Sequence, residues 1–151
     1  MNLMKTCLLL FLTMLGLTPA ACSQRLTAKD TPALVQNSVK ARFPHATDLE
    51  WEKKKDLFEA EFIQGQQEYS VLLDAAGTIR MIKQEIAATS LPATIAEVLK
   101  KNYAAYTLDD AERIEKDGEV FYQVELEKGL REQHLVFGAN GRKNLQLPYW
   151  D

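Results

Sequence analysis

Apolar and polar residues alternate along several stretches of the chain, as they do in β-strands with one covered face and one wet face. Phe58, Ala60 and Phe62 fall on one side of such a strand. Glu59 and Glu61 fall on the other side. A later stretch sets Val120, Tyr122, Val124 and Leu126 against Phe121, Gln123, Glu125 and Glu127. The pattern predicts strands at 47–53, 57–63, 67–74 and 78–86, and then at 107–116, 119–128, 132–138 and 142–147.

Two other stretches have helical spacing. The first places Leu34, Val35, Val39 and Phe43 on one face, and the second does the same with Ile95, Val98, Leu99 and Tyr103. Thr31 before Pro32, and Ser90 near Pro92, are start signals for these helices. Each stretch is predicted to form a helix of about three turns.

The helix and strand patterns occur twice in the same order. Residues 32–43 align with 92–103 at an offset of 60, and residues 71–77 align with 135–141 at an offset of 64. We therefore predict an α+β fold of two tandem repeats, each a helix followed by a four-stranded antiparallel meander, with the helices on one face of the sheet. The repeats are placed at 32–88 and 90–147. Few residues are identical, so a chance resemblance between the halves stays open.

The first 21 residues have the pattern of a secretory signal peptide. Lys5 precedes an apolar run at 7–17, and small residues follow. That run is shorter than the roughly 20 apolar residues that a membrane span needs. The pattern predicts export and removal of 1–21, a linker at 22–31 and a domain at 32–151. A buried N-terminal helix is the alternative.

Cys22 raises the question of a lipid anchor. Bacterial lipoproteins are cut before a cysteine that follows leucine and small residues, and the new terminal cysteine is diacylated. Here the cysteine follows Pro19, Ala20 and Ala21, and proline stands where that pattern usually has leucine. Cleavage without lipidation therefore stays open. The chain's other cysteine, Cys7, would leave with the signal peptide, so we expect no intramolecular disulfide.

The charge of the chain argues against a nucleic-acid partner. Loss of residues 1–21 removes one charged residue, Lys5, and takes the formal net charge from −3 to −4. Nucleic-acid binders show a basic balance or a basic stripe, and the sequence has neither.

The chain resembles the PepSY-like family of secreted bacterial proteins, a family described as having a fold like that of the β-lactamase inhibitor protein. The resemblance is carried by the residues at 43–52, 58–62, 74–77 and 90–92, which are strand, turn and helix-start residues. It implies a periplasmic or surface protein whose open sheet face holds a protein or peptide. Analogy with relatives suggests inhibition of peptidases or β-lactamases. The family supplies no catalytic residues to carry over.

No catalytic set is apparent in the sequence. The two histidines, His45 and His134, lie in opposite halves and are predicted to be surface residues. Neither has a second histidine at metal-ligand spacing, so we predict no metal and no cofactor. Alternating glutamates such as Glu59 and Glu61 fit a solvated strand face better than the paired carboxylates of a glycosidase. We therefore predict that the chain is not an enzyme.

Aromatic side chains concentrate at protein interfaces, so Trp51, Phe121, Tyr149 and Trp150 are candidates for contact with a partner. Trp51 alternates with Leu49 and is predicted to be core, while Phe121 falls on the charged side of its strand. Tyr149 and Trp150 come after the last predicted strand.

The leading hypothesis is a non-enzymatic binding module that presents the sheet face opposite its helices to a protein or peptide in the cell envelope. The predicted binding residues are Glu59, Glu61, Phe121, Gln123 and Glu125. The alternative is a structural or assembly lipoprotein of the envelope, anchored at Cys22.

Overall fold

The computed structural model describes residues 23–151. The predicted signal peptide and Cys22 lie outside the described residues. The described elements are β1 (Ser23–Leu26), α1 (Ala33–Arg42), β2 (Thr47–Lys54), β3 (Leu57–Gln64), β4 (Gln67–Leu73), β5 (Ile79–Glu85), α2 (Ala93–Asn102), β6 (Thr107–Lys116), β7 (Glu119–Lys128) and β8 (Arg131–Gly138). A short 3₁₀ turn at Ala88–Ser90 precedes α2.

All eight strands form one antiparallel sheet in which their order is their order along the chain. Turns connect the strands within β2–β5 and within β6–β8, for example at Asp117 and Gly118, which both have positive φ angles, whereas α1 and α2 lie in the two longer connections. The predicted α+β class with an antiparallel sheet is confirmed.

Both helices pack on the same face of the sheet. Val35 and Val39 of α1 form one core with Trp51, Ala60 and Val71 of the strands beneath it. The prediction that Trp51 is a core residue is confirmed. Leu34 is 60% exposed, so its predicted place on the buried face of α1 is wrong.

A second core lies under α2. It joins Ile95 of the helix to Ala111, Val124, Leu126 and Phe137 of the sheet. Leu126 and Phe62 both face inward, as predicted.

The segment predicted as a linker at 22–31 contributes the edge strand of the sheet. β1 pairs with β2, and Leu26 lies opposite Trp51 and packs against the first core. The four residues of β1 show no alternation, so their strand structure comes from pairing with the free edge of β2 rather than from a local pattern.

The predicted strand at 142–147 does not form, so the second half has three strands after its helix instead of four. A single bridge joins Phe137 to Lys143. The side chain of Asn144 then accepts hydrogen bonds from the backbone N–H groups of Gln146 and Leu147, which turns the chain off the sheet edge. We call residues 144–151 the strap, because they cross the face of the sheet opposite the helices.

The turns at Gly77 and Gly141 correspond in the two halves. Gly77 donates its N–H to the carbonyl of Asp74, and Gly141 donates to the carbonyl of Gly138, at the same offset of 64. Both glycines have positive φ angles. The halves therefore share this turn, and their origin by duplication stays a prediction.

Candidate functional site

The five predicted binding residues share one face of the sheet. Glu59 and Glu61 lie on β3, and Phe121, Gln123 and Glu125 lie on β7. Pairing across the strands carries their side chains to the face opposite the helices, which we call the front face. Three strands separate the two groups.

Two of these residues are not available to solvent. Gln123 is fully buried and Glu59 is 1% exposed, so the prediction that both are wet positions on an open face is wrong. Strand alternation places them correctly on the front face, but the strap covers them there. Trp150 of the strap lies between them.

Trp150 bonds to both strand groups. Its backbone N–H donates to Oε1 of Gln123 at 3.1 Å, and its carbonyl accepts from Nε2 of Gln123 at 2.8 Å. Its indole Nε1 donates to Oε1 of Glu59 at 2.9 Å. One strap residue thereby links β3 to β7.

Lys83 of β5 and Glu112 of β6 extend this network. The Lys83 Nζ donates to the Trp150 carbonyl at 3.0 Å and lies 3.2 Å from Oε1 of Glu112. The other Glu112 oxygen accepts from Nε2 of Gln123 at 2.7 Å. Burial raises the pKa of Glu112, and the positive charge of Lys83 opposes that rise.

Lys54 closes the network at its other end. Its Nζ lies 2.6 Å from Oε2 of Glu59. Burial lowers the pKa of Lys54, but the hydrogen bond and charge of Glu59, together with the charges of Glu52 and Glu61, outweigh burial, so the pKa is raised. Buried polar groups are stable when they are paired in this way.

Phe121 lies in a small apolar cluster beneath the strap. It packs with Ile114, Val136 and Leu147, and Tyr149 covers the same cluster. Phe121 is half-buried against this cluster, and its predicted role in binding a partner stays a prediction. The Tyr149 ring stacks on His134 with a centroid distance of 4.3 Å, and burial raises the pKa of Tyr149.

An acidic cleft of about 400 Å³ lies on the part of the front face that the strap leaves open. Of the twelve described residues that line it, seven are acidic and one, Lys83, is basic. The acidic residues are Asp48, Glu50, Glu61, Glu68, Glu85, Asp110 and Glu112. Glu61 is the one predicted binding residue in this lining.

Several of these glutamates lie directly opposite one another on neighbouring strands. Glu50 is paired with Glu61, and Glu85 is paired with Glu112. Like charges in such positions destabilise a sheet. Burial, together with the negative charges of nearby Glu59 and Glu52, raises the pKa of Glu61.

Glu125 lies in a different group. It is the direct partner of His134 across β7 and β8, and the two side chains approach to 3.6 Å. Ligand atoms of Glu125, Glu132 and His134 lie within 4.8 Å of one another, a grouping that sequence spacing did not indicate. His45 and His134 are both exposed, as predicted.

Sequence reasoning missed Lys83, Glu112 and the strap contacts. Alternation along single strands carries no information about register between distant strands. The one available signal was the pair of aromatic residues Tyr149 and Trp150, which follow the last predicted strand.

The sequence profile of the family described as "Putative beta-lactamase-inhibitor-like, PepSY-like" matches residues 21–81 and 56–143. No curated protein matches the chain. Among the described residues, the two α-helices are too short to cross a membrane.

Solved structures from Bacteroides share the fold. A BLIP-like protein from Bacteroides fragilis is 24% identical with a TM-score of 0.66, and 75% of this chain and 83% of that one are covered. A DUF2874 family protein from Bacteroides uniformis has 16% identity and a TM-score of 0.69, with 74% and 85% covered. A protein from Bacteroides eggerthii, described as "putative periplasmic", has 14% identity and a TM-score of 0.71, with 75% and 85% covered.

Proposed function

The chain belongs to the PepSY-like, beta-lactamase-inhibitor-like family, and we propose that it is a non-enzymatic binding module that holds a protein or peptide of the cell envelope on its front face. The acidic cleft carries this proposal. The strap leaves this part of the front face open, and its lining is mostly acidic.

The charge of the cleft favours a basic partner segment. Glu61 lies opposite Glu50, which pairs with Arg25 at 3.2 Å, and the negative charges of nearby Glu59 and Glu52 repel that of Glu61 in the free protein. A lysine or arginine placed beside Glu61 relieves that repulsion. Charge complementarity of this kind speeds association and selects the partner, and salt weakens it.

Capture from envelope extract tests the proposal. We would compare the wild type with a variant carrying Glu61→Gln, Glu68→Gln and Glu85→Gln, three exposed changes in the cleft. A matched control carries Asp56→Asn, Glu97→Gln and Glu119→Gln, which remove the same charge outside the cleft. The cleft variant should retain less partner at low salt than the control. Equal retention by both variants would overturn the proposal.

A peptidase or a β-lactamase as partner would be inhibited by occlusion of its active site. The assay is the initial rate of a purified envelope peptidase, or of β-lactam hydrolysis, with rising concentrations of this protein. The cleft variant should inhibit less than the matched control. Rates that no concentration changes would contradict the inhibitor function for the enzymes tested.

A second candidate is an envelope lipoprotein anchored at Cys22. The observation that favours it is the position of Cys22 directly before β1, so an acyl anchor there would hold the β1 edge of the sheet beside the bilayer. Mass analysis of the protein from its native envelope should find a mature start within residues 21–24. A diacylated Cys22 supports the anchored role, an unmodified terminus contradicts it, and an intact Met1 contradicts export.

A further inference from the structure

We propose that the strap is an internal ligand: Trp150 occupies a peptide site on the front face, and an extended segment carrying a tryptophan from another chain competes for that site. The inference rests on the proposed function, in which the front face binds a protein or peptide. The region under the strap is then a second binding region of the front face, beside the acidic cleft, and its ligand is an extended segment that contains a tryptophan.

Gln123 recognises the main chain of the strap. Its amide group accepts from the N–H and donates to the carbonyl of the same residue, Trp150, as a neighbouring strand would. These two bonds do not depend on the side chain of the residue held. Glu112 accepts the remaining Nε2 hydrogen of Gln123, which orients the amide for this task.

Glu59 and Lys83 recognise the indole. The indole Nε1 needs an acceptor when it is buried, and Oε1 of Glu59 is that acceptor at 2.9 Å. The Lys83 Nζ lies 5.2 Å from the centre of the Trp150 ring, within range of a cation–π contact. Phenylalanine would lose the first contact, so the pair selects tryptophan.

The first part of the strap is exposed to solvent, up to the residue at which the strap begins to pack on the sheet. Leu145 is 91% exposed and Gln146 is exposed, while Leu147 is buried in the small front-face cluster. Both helix-packed cores lie on the opposite face, so they keep their contacts when the strap moves. The fold therefore allows the strap to leave as a unit.

Exchange is favoured over simple opening. Departure of the strap alone would exchange the bonds of Trp150 to Gln123 and Glu59 for bonds to water, and it would expose the buried side chains of Trp150 and Leu147. A competing segment with the same backbone and indole groups restores every one of these bonds. Segments that bind more weakly than the strap therefore do not displace it, whereas segments with the same backbone and indole groups compete with it for the site.

The test uses the full chain with Trp150→Ala and a synthetic peptide of the sequence of residues 146–151, acetylated or labelled with fluorescein at its N terminus. Fluorescence anisotropy should show that the labelled peptide binds the variant at least ten-fold more tightly than the wild type, whose site is occupied. The same peptide with its tryptophan changed to alanine should not bind. The unlabelled peptide should compete with the labelled one.

A second change locates the binding. Adding Gln123→Leu to Trp150→Ala should abolish peptide binding, whereas adding Glu119→Gln, an exposed change at the start of β7, should leave it intact. Equal binding to the wild type and to Trp150→Ala overturns the proposal. So does the absence of binding to a Trp150→Ala variant that keeps its circular dichroism spectrum and cooperative melting.

Trp150→Phe serves if Trp150→Ala does not fold, because it keeps the ring and loses only the indole donor. It should admit the peptide with a smaller gain over the wild type. If Trp150→Phe also fails to fold, the strap is a fixed part of the structure and the proposal is wrong.

Capture through the cleft uses Glu61, Glu68 and Glu85, none of which bonds to Trp150, so intact capture without peptide binding overturns this inference alone. Peptide binding without capture overturns only the proposed function.

Discussion

The indole Nε1 of Trp150 lies 2.9 Å from Oε1 of Glu59, a residue 91 positions earlier in the chain. The other oxygen of Glu59 lies 2.6 Å from Nζ of Lys54. The buried carboxylate of Glu59 thus has one neutral donor and one cation as partners, and it is a structural part of the front face. Glu61, two residues further along β3, is exposed and lines the acidic cleft.

Glu59 and Glu61 should differ in their contribution to stability. Glu59→Gln removes the charge that pairs with Lys54 in a buried position, and we expect it to lower the free energy of unfolding by about 1 to 3 kcal/mol. Glu61→Gln should stay within about 0.5 kcal/mol, as exposed changes do. Urea unfolding of both variants measures the difference. Equal small effects would show that the strap does not cover Glu59 in solution.

Glu61 should make the stability depend on pH. Its pKa is raised in the folded protein, so its favourable contribution is present below the unfolded pKa and is lost as the pH rises through the folded pKa. Glu61→Gln should therefore raise the melting temperature at pH 7, and the gain should vanish below about pH 4. Glu97→Gln, exposed on α2, is the control, and a gain of the same size there would contradict the role of the cleft charges.

The two helix-packed cores should respond alike to truncation. Phe62 is 3% exposed and Leu126 is 2% exposed, and each belongs to one core. Phe62→Ala should cost about 3 to 5 kcal/mol and Leu126→Ala about 2 to 5 kcal/mol through the cavities they leave. Leu34→Ala, at an exposed position of α1, should change stability by about 0.5 kcal/mol or less. Thermal melting of the three variants measures these losses of stability. A small loss for Phe62→Ala or Leu126→Ala would show that the residue had been assigned to the wrong face of the sheet.

The paired turns should be intolerant of a methyl group. A Cβ at Gly77 would lie 2.7 Å from the Leu34 carbonyl oxygen, and one at Gly141 would lie 2.8 Å from the Thr94 carbonyl oxygen. Gly65 also has a positive φ angle but has no atom within 4 Å of such a Cβ. Gly65→Ala should cost about 1 kcal/mol for the backbone angle alone, and the other two should cost about 1 to 3 kcal/mol more. Equal losses at all three sites would exclude close approach of the helices to these turns.

The local patterns by themselves determined much of the fold. Alternation in Phe58–Phe62 assigned each side chain to the correct face of β3, because successive residues of any strand point to opposite sides. Proline and glycine positions marked the helix starts and the turns, since both residues restrict or permit particular backbone angles. These signals act between residues close together in the sequence, and they need no tertiary structure to be interpreted.

The tertiary structure alone decided which front-face residues are covered. Glu59 and Glu61 have the same pattern, the same strand and the same side, yet one is buried and the other is exposed. Trp150 covers Glu59 and leaves Glu61 open. The position of Trp150 depends on the register of the five strands from β3 to β7, and on the turn at Asn144 that directs the chain away from the sheet edge, where a strand at 142–147 was predicted. Alternation specifies the side of a strand to which a residue points, but a distant segment that packs on that side leaves no trace in the local period.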